Sequence, residues 1–371
     1  MHRRKFISIA GAAVSIAGGA FYLLSDKSNF IRSDIKTNDA GKIPFKQDEK
    51  QILYLASLAP SGHNTQPWFV KYLEPYHWVI GNDKSKWLPG VDPSQRETIL
   101  SIGAFLQNLE YAANDLGYTC QFTILATANQ DENVMDVRLA RSSAAARFDV
   151  EQIKLRRTIR SNYLSDPFST NDIDHLTGEG AGFFHFIPST AKEYNWLNEQ
   201  TIEANRVQAY RDAAQMELAN WIRFSGSDAE KYCDGLTTAS MEIGGIPGWY
   251  LRNFYSKPDV MKKSFREQSI DKVKQQVDHS AGWLLITSKD SSVLSLLETG
   301  KSLQRLLLKT RKRNIAIHPM TQVLEETAIA KTVNQATGIN ESIQFVLRTG
   351  YVKKYPGPVS LRRPVDWFVR S

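Results

Sequence analysis

Two short stretches concentrate the residue types that do chemistry. The first, "APSGHNTQPWFV" at 59–70, sets Ser61, Gly62, His63, Asn64, Thr65 and Gln66 between Pro60 and Pro67 and turns apolar at Trp68. Polar and small residues bracketed by prolines read as a loop feeding a strand, and its hydroxyl and amide groups could hold a ligand. The second, "LRRTIRSNY" at 155–163, carries three arginines. In an extended segment alternate residues share a face, so Arg156, Thr158 and Arg160 point one way and Arg157 the other. Two guanidiniums flanking a hydroxyl suit a phosphate, whose oxygens the planar fork meets in bidentate fashion. A further pair, Arg362 and Arg363, stands near the C-terminus in "VSLRRPVDWF". The competing reading for such cations is a solvated basic face, the usual fate of a charge run.

Other chemistries lack their supports. The sequence holds no Walker loop, HExxH or GxSxG, and "GEGAGF" at 178–183 is not a dinucleotide loop. Ser61 and His63 have no marked third group to orient a nucleophile and its base. Cys120 and Cys233 fall in no CxxC or Cys/His metal spacing, and two buried thiols are expected, with one bridge left open. A net charge of +7 over 371 residues is too mild to argue for nucleic acid.

The elements that must position these residues follow from periodicity. Ile52, Leu55, Ala56 and Leu58 give a helix over 48–58 that Pro60 closes. "PWFVKYL" and "HWVIGND" read as strands. Ile99, Ile102, Leu106, Leu109, Ala113 and Leu116 mark a strong amphipathic helix, with Asp92 or Ser94 as N-cap and Gly117 as its stop. "QFTILA" and "VMDVRLA" follow as strands. A shift of 197 residues lays 101–118 over 298–315, matching Gly103 with Gly300, Leu106 with Leu303, Gln107 with Gln304, Leu109 with Leu306 and Gly117 with Asn314. "GWLLITS" and "IQFVLRTGY" flank the second copy as strands, so a tandem duplication is expected, a dimer written in one chain.

Residues 190–280 read as a mostly helical insertion. Its "MEIGGIPGWYLRNFY" stretch suits either a cover over a site or an ordinary surface segment packed through Trp249 and Tyr250. At the other end, "MHRRKFISIAGAAVSIAGGAFYLL" places cations before an uncharged run. That is the layout of an export signal or anchor over 1–24, and Arg3-Arg4 resembles the twin-arginine type. The polar residues 25–46 read as a linker.

"LAPSGHNTQPW", "LRRTIRSNY", the "GAFLQNLEYAANDLGY" helix, "HPMTQVLE" and "RTGYV…LRRP" together resemble the nitroreductase family of FMN-binding oxidoreductases, in its tandem, single-chain Acg-like branch. The likeness runs from about residue 47 onward. It implies an α+β, three-layer fold in which a first half at 47–148 and a second at 149–371 form an intramolecular pseudo-dimer. The resemblance carries Arg156, Thr158 and Arg160 onto the phosphate segment and Ser61, Gly62, Asn64 and Gln66 onto the loop from the facing subunit. It carries Pro319, Met320 and Thr321 onto the ring-side segment and Arg362 onto a C-terminal phosphate ligand. Gln322 stands where the family has glycine, and Ser360 where a lysine is usual. Each half retains the piece the other lacks, which implies one FMN site per monomeric chain.

Two functions are therefore expected to compete. One is an FMN-dependent oxidoreductase passing electrons or hydride to a nitro, quinone or similar small acceptor from an unidentified donor, with no side chain assigned as general acid. The other is an FMN-sequestering protein whose insertion covers the flavin. A scaffold that has lost flavin is the weaker third. Export to the periplasm, with membrane contact only through the N-terminal segment, favours a donor other than a soluble nicotinamide.

Overall fold

Two period-2 sheets and a pair of long period-3.6 helices organise the chain. The structure is a computed structural model that describes residues 25–26, 29–35, 45–178 and 182–370. The expected signal at 1–24 lies outside the described residues. Among the described residues no helix is long and apolar enough to cross a membrane.

The first sheet has the order β3-β4-β2-β1-β9, with β1 Trp68–Glu74, β2 His77–Asn82, β3 Tyr118–Ile124, β4 Asn133–Arg141 and β9 Val369–Arg370. Its first four strands pair antiparallel, while β9 runs parallel to β1 through Val70–Val369 and Lys71–Arg370. The expected boundary near residue 148 is thus crossed by the C-terminus, which returns to the first sheet. A two-residue strand carries no period that a sequence could display. The second sheet has the order β5-β6-β8-β7, with β5 Phe184–Pro188, β6 Gly282–Ser288, β7 Ile315–Pro319 and β8 Ser342–Tyr351, all antiparallel.

The helices Arg96–Asp115 and Val293–Thr310 bury their apolar faces in one cluster that also takes in Trp68, Trp78, Ile80, Leu284, Ile286 and Leu347 from both sheets. Fully burying one such side chain contributes roughly 1.5–3 kcal/mol. The first helix starts later than its expected caps. Gln95, at φ 59°, is its N-cap, while the Asp92 carboxylate accepts from Thr98 N at 3.1 Å. It ends at Gly117 (φ 79°), and the left-handed Asn314 (φ 53°) closes the turn after the second helix.

The pair crosses at glycines. A Cβ on Gly103 would sit 2.2 Å from Leu297 O, and one on Gly300 would sit 2.0 Å from Leu100 O. Polar contacts repeat the exchange: Gln304 Nε2 donates to Asn108 Oδ1 at 2.7 Å, and Arg305 Nη1 to Gln107 Oε1 at 2.7 Å. Each contact has its mirror 197 positions along, the self-complementary pattern of a two-fold interface.

The insertion is helical, with Lys192–Tyr210, Asp212–Trp221, Gly226–Tyr232, Gly245–Phe254 and Lys263–Val277 as its main helices. Residues 25–26 and 29–35 do not behave as a free linker. Asp26 N donates to Asn253 Oδ1 at 2.8 Å, Trp249 Nε1 to Ser25 Oγ at 2.9 Å and Thr238 Oγ1 to Asn29 Oδ1 at 2.8 Å. Cys233 is buried, Cys120 is half-buried, and both are free thiols.

Candidate functional site

The helix Gln47–Ser57 ends at Leu58, and its last carbonyls would be orphaned if they were buried without donors. Two arginines meet them. Arg156 Nη2 donates to Leu58 O at 3.3 Å, and Arg362 Nη2 donates to Leu58 O at 3.1 Å and Ala59 O at 2.9 Å. Arg156 is 6% exposed and Arg362 3% exposed, yet Arg156 Nε and Nη1 and Arg362 Nε have no hydrogen-bond partner. Among the described residues no carboxylate pairs with either. Burial pushes the Arg156 guanidinium down to about 10, with Tyr355 acting against the shift and the charges of Arg32 and Arg160 adding to it. Burial, with the charges of Arg156 and Arg32, pushes that of Arg362 well below its ordinary value. Buried cations with donors to spare and no counter-charge are chemically suited to an anion.

The loop after Leu58 is tightly held. His63, Asn64 and Gln66 all take positive φ, at 48°, 55° and 55°. Ser61 Oγ accepts from Gln66 N at 2.9 Å. Asn64 Nδ2 donates to Gly235 O and Leu361 O, both at 3.1 Å, and Asn64 Oδ1 accepts from Arg362 Nη1 at 2.8 Å. Gln66 Nε2 donates to Cys233 O at 3.0 Å, and Gln66 Oε1 accepts from Arg363 N at 2.9 Å. Asn64 and Gln66 therefore spend their side chains on the protein's own backbone and arginines. They fix the loop to the insertion and the C-terminal segment. Gly62 stands beside Leu88, where a Cβ would come within 3.1 Å of its Cδ1.

The arginine segment divides as alternation requires. Arg156 turns to Leu58, while Arg157 turns to Gly357 O at 2.9 Å and to Glu242 Oε1 at 3.0 Å. Thr158 is half-buried between them. Arg160 Nη1 donates to Ser240 O at 2.8 Å. Glu242, from the insertion, also accepts from Arg160 N at 3.2 Å and from Ser161 Oγ. An open cavity of about 730 Å³ lies on the Arg157 side, lined by Ser161, Asn162, Glu242, Lys353 and Lys354 among others.

The Arg160 charge acts on a histidine of the loop and on one in β7. Burial and the Arg160 charge push His63 down to about 4, and burial with Arg348 and Arg160 pushes His318 well below its ordinary value. Both imidazoles are neutral at pH 7, and the Nδ1 of buried His318 has no partner. Of the ring-side residues, Pro319 is half-buried, and Thr321 O accepts from Leu324 N at 2.8 Å. Met320 is core: its N donates to Val346 O at 2.9 Å and its side chain packs with Trp283, Val323 and Val346.

The structure thus gathers Arg156, Arg362 and the ends of the polar loop, while Arg160 bonds to Ser240 of the insertion and its charge acts on His63 and His318. Arg363, paired with Arg362 in the sequence but given no site role there, donates through Nη2 to Gln66 O at 2.5 Å and Trp68 O at 2.9 Å. Sequence reasoning missed Glu242 as a clasp. Nothing in the local pattern marks that residue.

No family model matches the chain. A Mycobacterium tuberculosis (strain H37Rv) protein bearing the name of an NAD(P)H nitroreductase, acg, is 24% identical over 331 residues, which cover 85% of this chain and 93% of that protein. A Serratia sp. protein named as the NAD(P)H nitroreductase PigM is 28% identical over 323 residues, 80% of this chain and 86% of its own. Among solved structures, the FMN-dependent nitroreductase NfnB from Mycobacterium smegmatis in complex with NADPH aligns at TM-score 0.34 and 13% identity. That alignment covers 55% of this chain and 86% of NfnB.

Proposed function

We propose that the chain, similar to proteins named as NAD(P)H nitroreductases, is a member of the nitroreductase family that binds one FMN and uses it as an oxidoreductase toward a small acceptor. The observation that carries this reading is the buried pair Arg156 and Arg362, with its unpartnered Nε and Nη1 atoms and no carboxylate among the described residues. A phosphate ester supplies the charge and the acceptor oxygens that this pair lacks. When bound, the flavin supplies the two-electron chemistry.

The chain's own residues do the rest. Arg156 and Arg362 hold the phosphate, with Thr158 between the arginines of the same segment. Ser61 and Gly62 offer the outer face of the loop, whose shape Asn64 and Gln66 lock. Arg160 adds a buried positive charge whose influence reaches His63 and His318, suited to electron-rich groups. The names of the relatives point to a nicotinamide donor; the expected export signal points to a membrane quinol or protein donor instead. The reciprocal helix crossing supports reading the halves as two packed subunits, and because the polar loop occurs once, one flavin per chain follows.

A second reading, flavin storage, draws on the clasp. The insertion is tied to the loop through Gly235 and Cys233 and to the arginine segment through Ser240 and Glu242. Such a cover restricts acceptor access. Turnover of a quinone or nitrofuran with NADPH supports the enzyme; reduction by dithionite alone, with no acceptor turnover, supports storage. Arg156→Ala tests both readings, because each lost charge-assisted hydrogen bond is worth roughly 1.5–3 kcal/mol. FMN affinity should fall by about a hundredfold while riboflavin binding stays near wild type. Unchanged FMN affinity would remove the cradle from the account.

A further inference from the structure

Arg32 stands before the region that resembles the family, yet it joins the two segments that carry the cradle. Its backbone N donates to Val359 O at 3.3 Å, three residues before Arg362. Its guanidinium Nη2 donates to Lys154 O, two residues before Arg156. Arg32 is thus tied beside both segments that bear Arg156 and Arg362, its charge acts on both, and none of the three guanidiniums has a carboxylate partner among the described residues. Only tyrosines, Tyr54 and Tyr355, offer them an opposing influence.

Like charges gathered in a low-dielectric site repel, and that arrangement persists only if something else fixes it or an anion completes it. What fixes the segment is visible. Asn253 Nδ2 donates to Asp26 O at 3.1 Å, returning the bond that Asp26 N makes to Asn253 Oδ1, and Gly226 N donates to Asp26 Oδ2 at 2.5 Å. Arg252 Nη1 donates to Asn29 Oδ1 at 2.5 Å. The segment is stapled to the insertion at one end and to the cradle at the other.

We propose that Arg32 is a third arm of the phosphate cradle, so that the described segment 29–35 forms part of the cofactor site and couples the insertion to it. This rests on the flavin reading above. Docking of the segment and retention of a phosphorylated ligand then favour each other, as linkage requires.

The test uses the full chain and measures equilibrium binding of FMN and of riboflavin, which lacks the phosphate, to wild type, Arg32→Ala, Arg32→Lys and Arg156→Ala. Thermal melting of each ligand-free protein serves as the folding control. Arg32→Ala should weaken FMN about tenfold with riboflavin unchanged, and Arg32→Lys should recover part of the loss, since the charge returns without the fork. FMN affinity equal to wild type in Arg32→Ala, with Arg156→Ala impaired, would overturn the third arm and leave the flavin reading standing. An equal loss of FMN and riboflavin would reduce Arg32 to a structural staple and also overturn the inference. A folded wild type that binds neither flavin would remove the flavin reading and the inference with it.

Discussion

At the scale of single residues, what mattered was where each polar atom is spent. Asn64 and Gln66 are the residue types a flavin loop would present, but their amides bond to Gly235, Leu361, Cys233 and the two C-terminal arginines. Residue type made the loop legible; it could not say whether the donors faced a ligand or the backbone. Met320 read as ring-side for the same reason, and it packs inward. Arg156 was legible from its alternation with Thr158 and Arg160, and Arg362 from the resemblance; that both are buried without a carboxylate among the described residues only the structure could show. One residue gives a pH test. Burial, with the charge of Glu97 beside it, pushes Asp92 up to about 7. Between about pH 4 and pH 7 the folded chain holds this proton while the unfolded chain has released it, so stability falls as pH rises across that window. Asp92→Asn should flatten the dependence by an amount on the order of a few kcal/mol, read from chemical denaturation at pH 4.5 and 7.5. Glu325, held well above the usual carboxylate range by burial and by Glu97, keeps the remaining slope.

At the scale of elements, the long helices and the hairpin strands were legible from period alone, and the 197-residue shift located their crossing. β7 and β9 were not, because five and two residues do not establish a period against a background of loops. The crossing allows no side chain. Gly300→Ala would drive a Cβ to 2.0 Å from Leu100 O, and backbone on both sides leaves little room to yield. The substitution should cost on the order of 1–3 kcal/mol or more in urea unfolding, and Gly103→Ala a similar amount. A neutral result at both positions would contradict the close approach. The insertion makes a second prediction. Glu242 is its clasp to Arg157, Arg160 and Ser161, so Glu242→Gln should raise hydrogen exchange over residues 238–254 and speed reoxidation of bound, reduced flavin by added quinone. Unchanged exchange there would show that the insertion is held by its apolar contacts alone.

At the scale of the whole molecule, the site exists because distant parts of one chain meet. The end of the first helix, the arginine segment and the C-terminal run reach the same few carbonyls, and β9 carries the C-terminus back to the first sheet. Sequence could supply each piece but not the closure, since that depends on contacts some 300 positions apart. In our account the chain builds one cradle of this kind, because the polar loop and the "RRTIR" segment each occur once. The most direct test is flavin stoichiometry on the folded, purified chain after saturation with FMN and removal of free ligand, measured by flavin absorbance against protein concentration. The account predicts one FMN per chain for wild type and none retained by the Arg156→Ala/Arg362→Ala double variant. A folded wild type that retains no FMN, or that retains two, would contradict it.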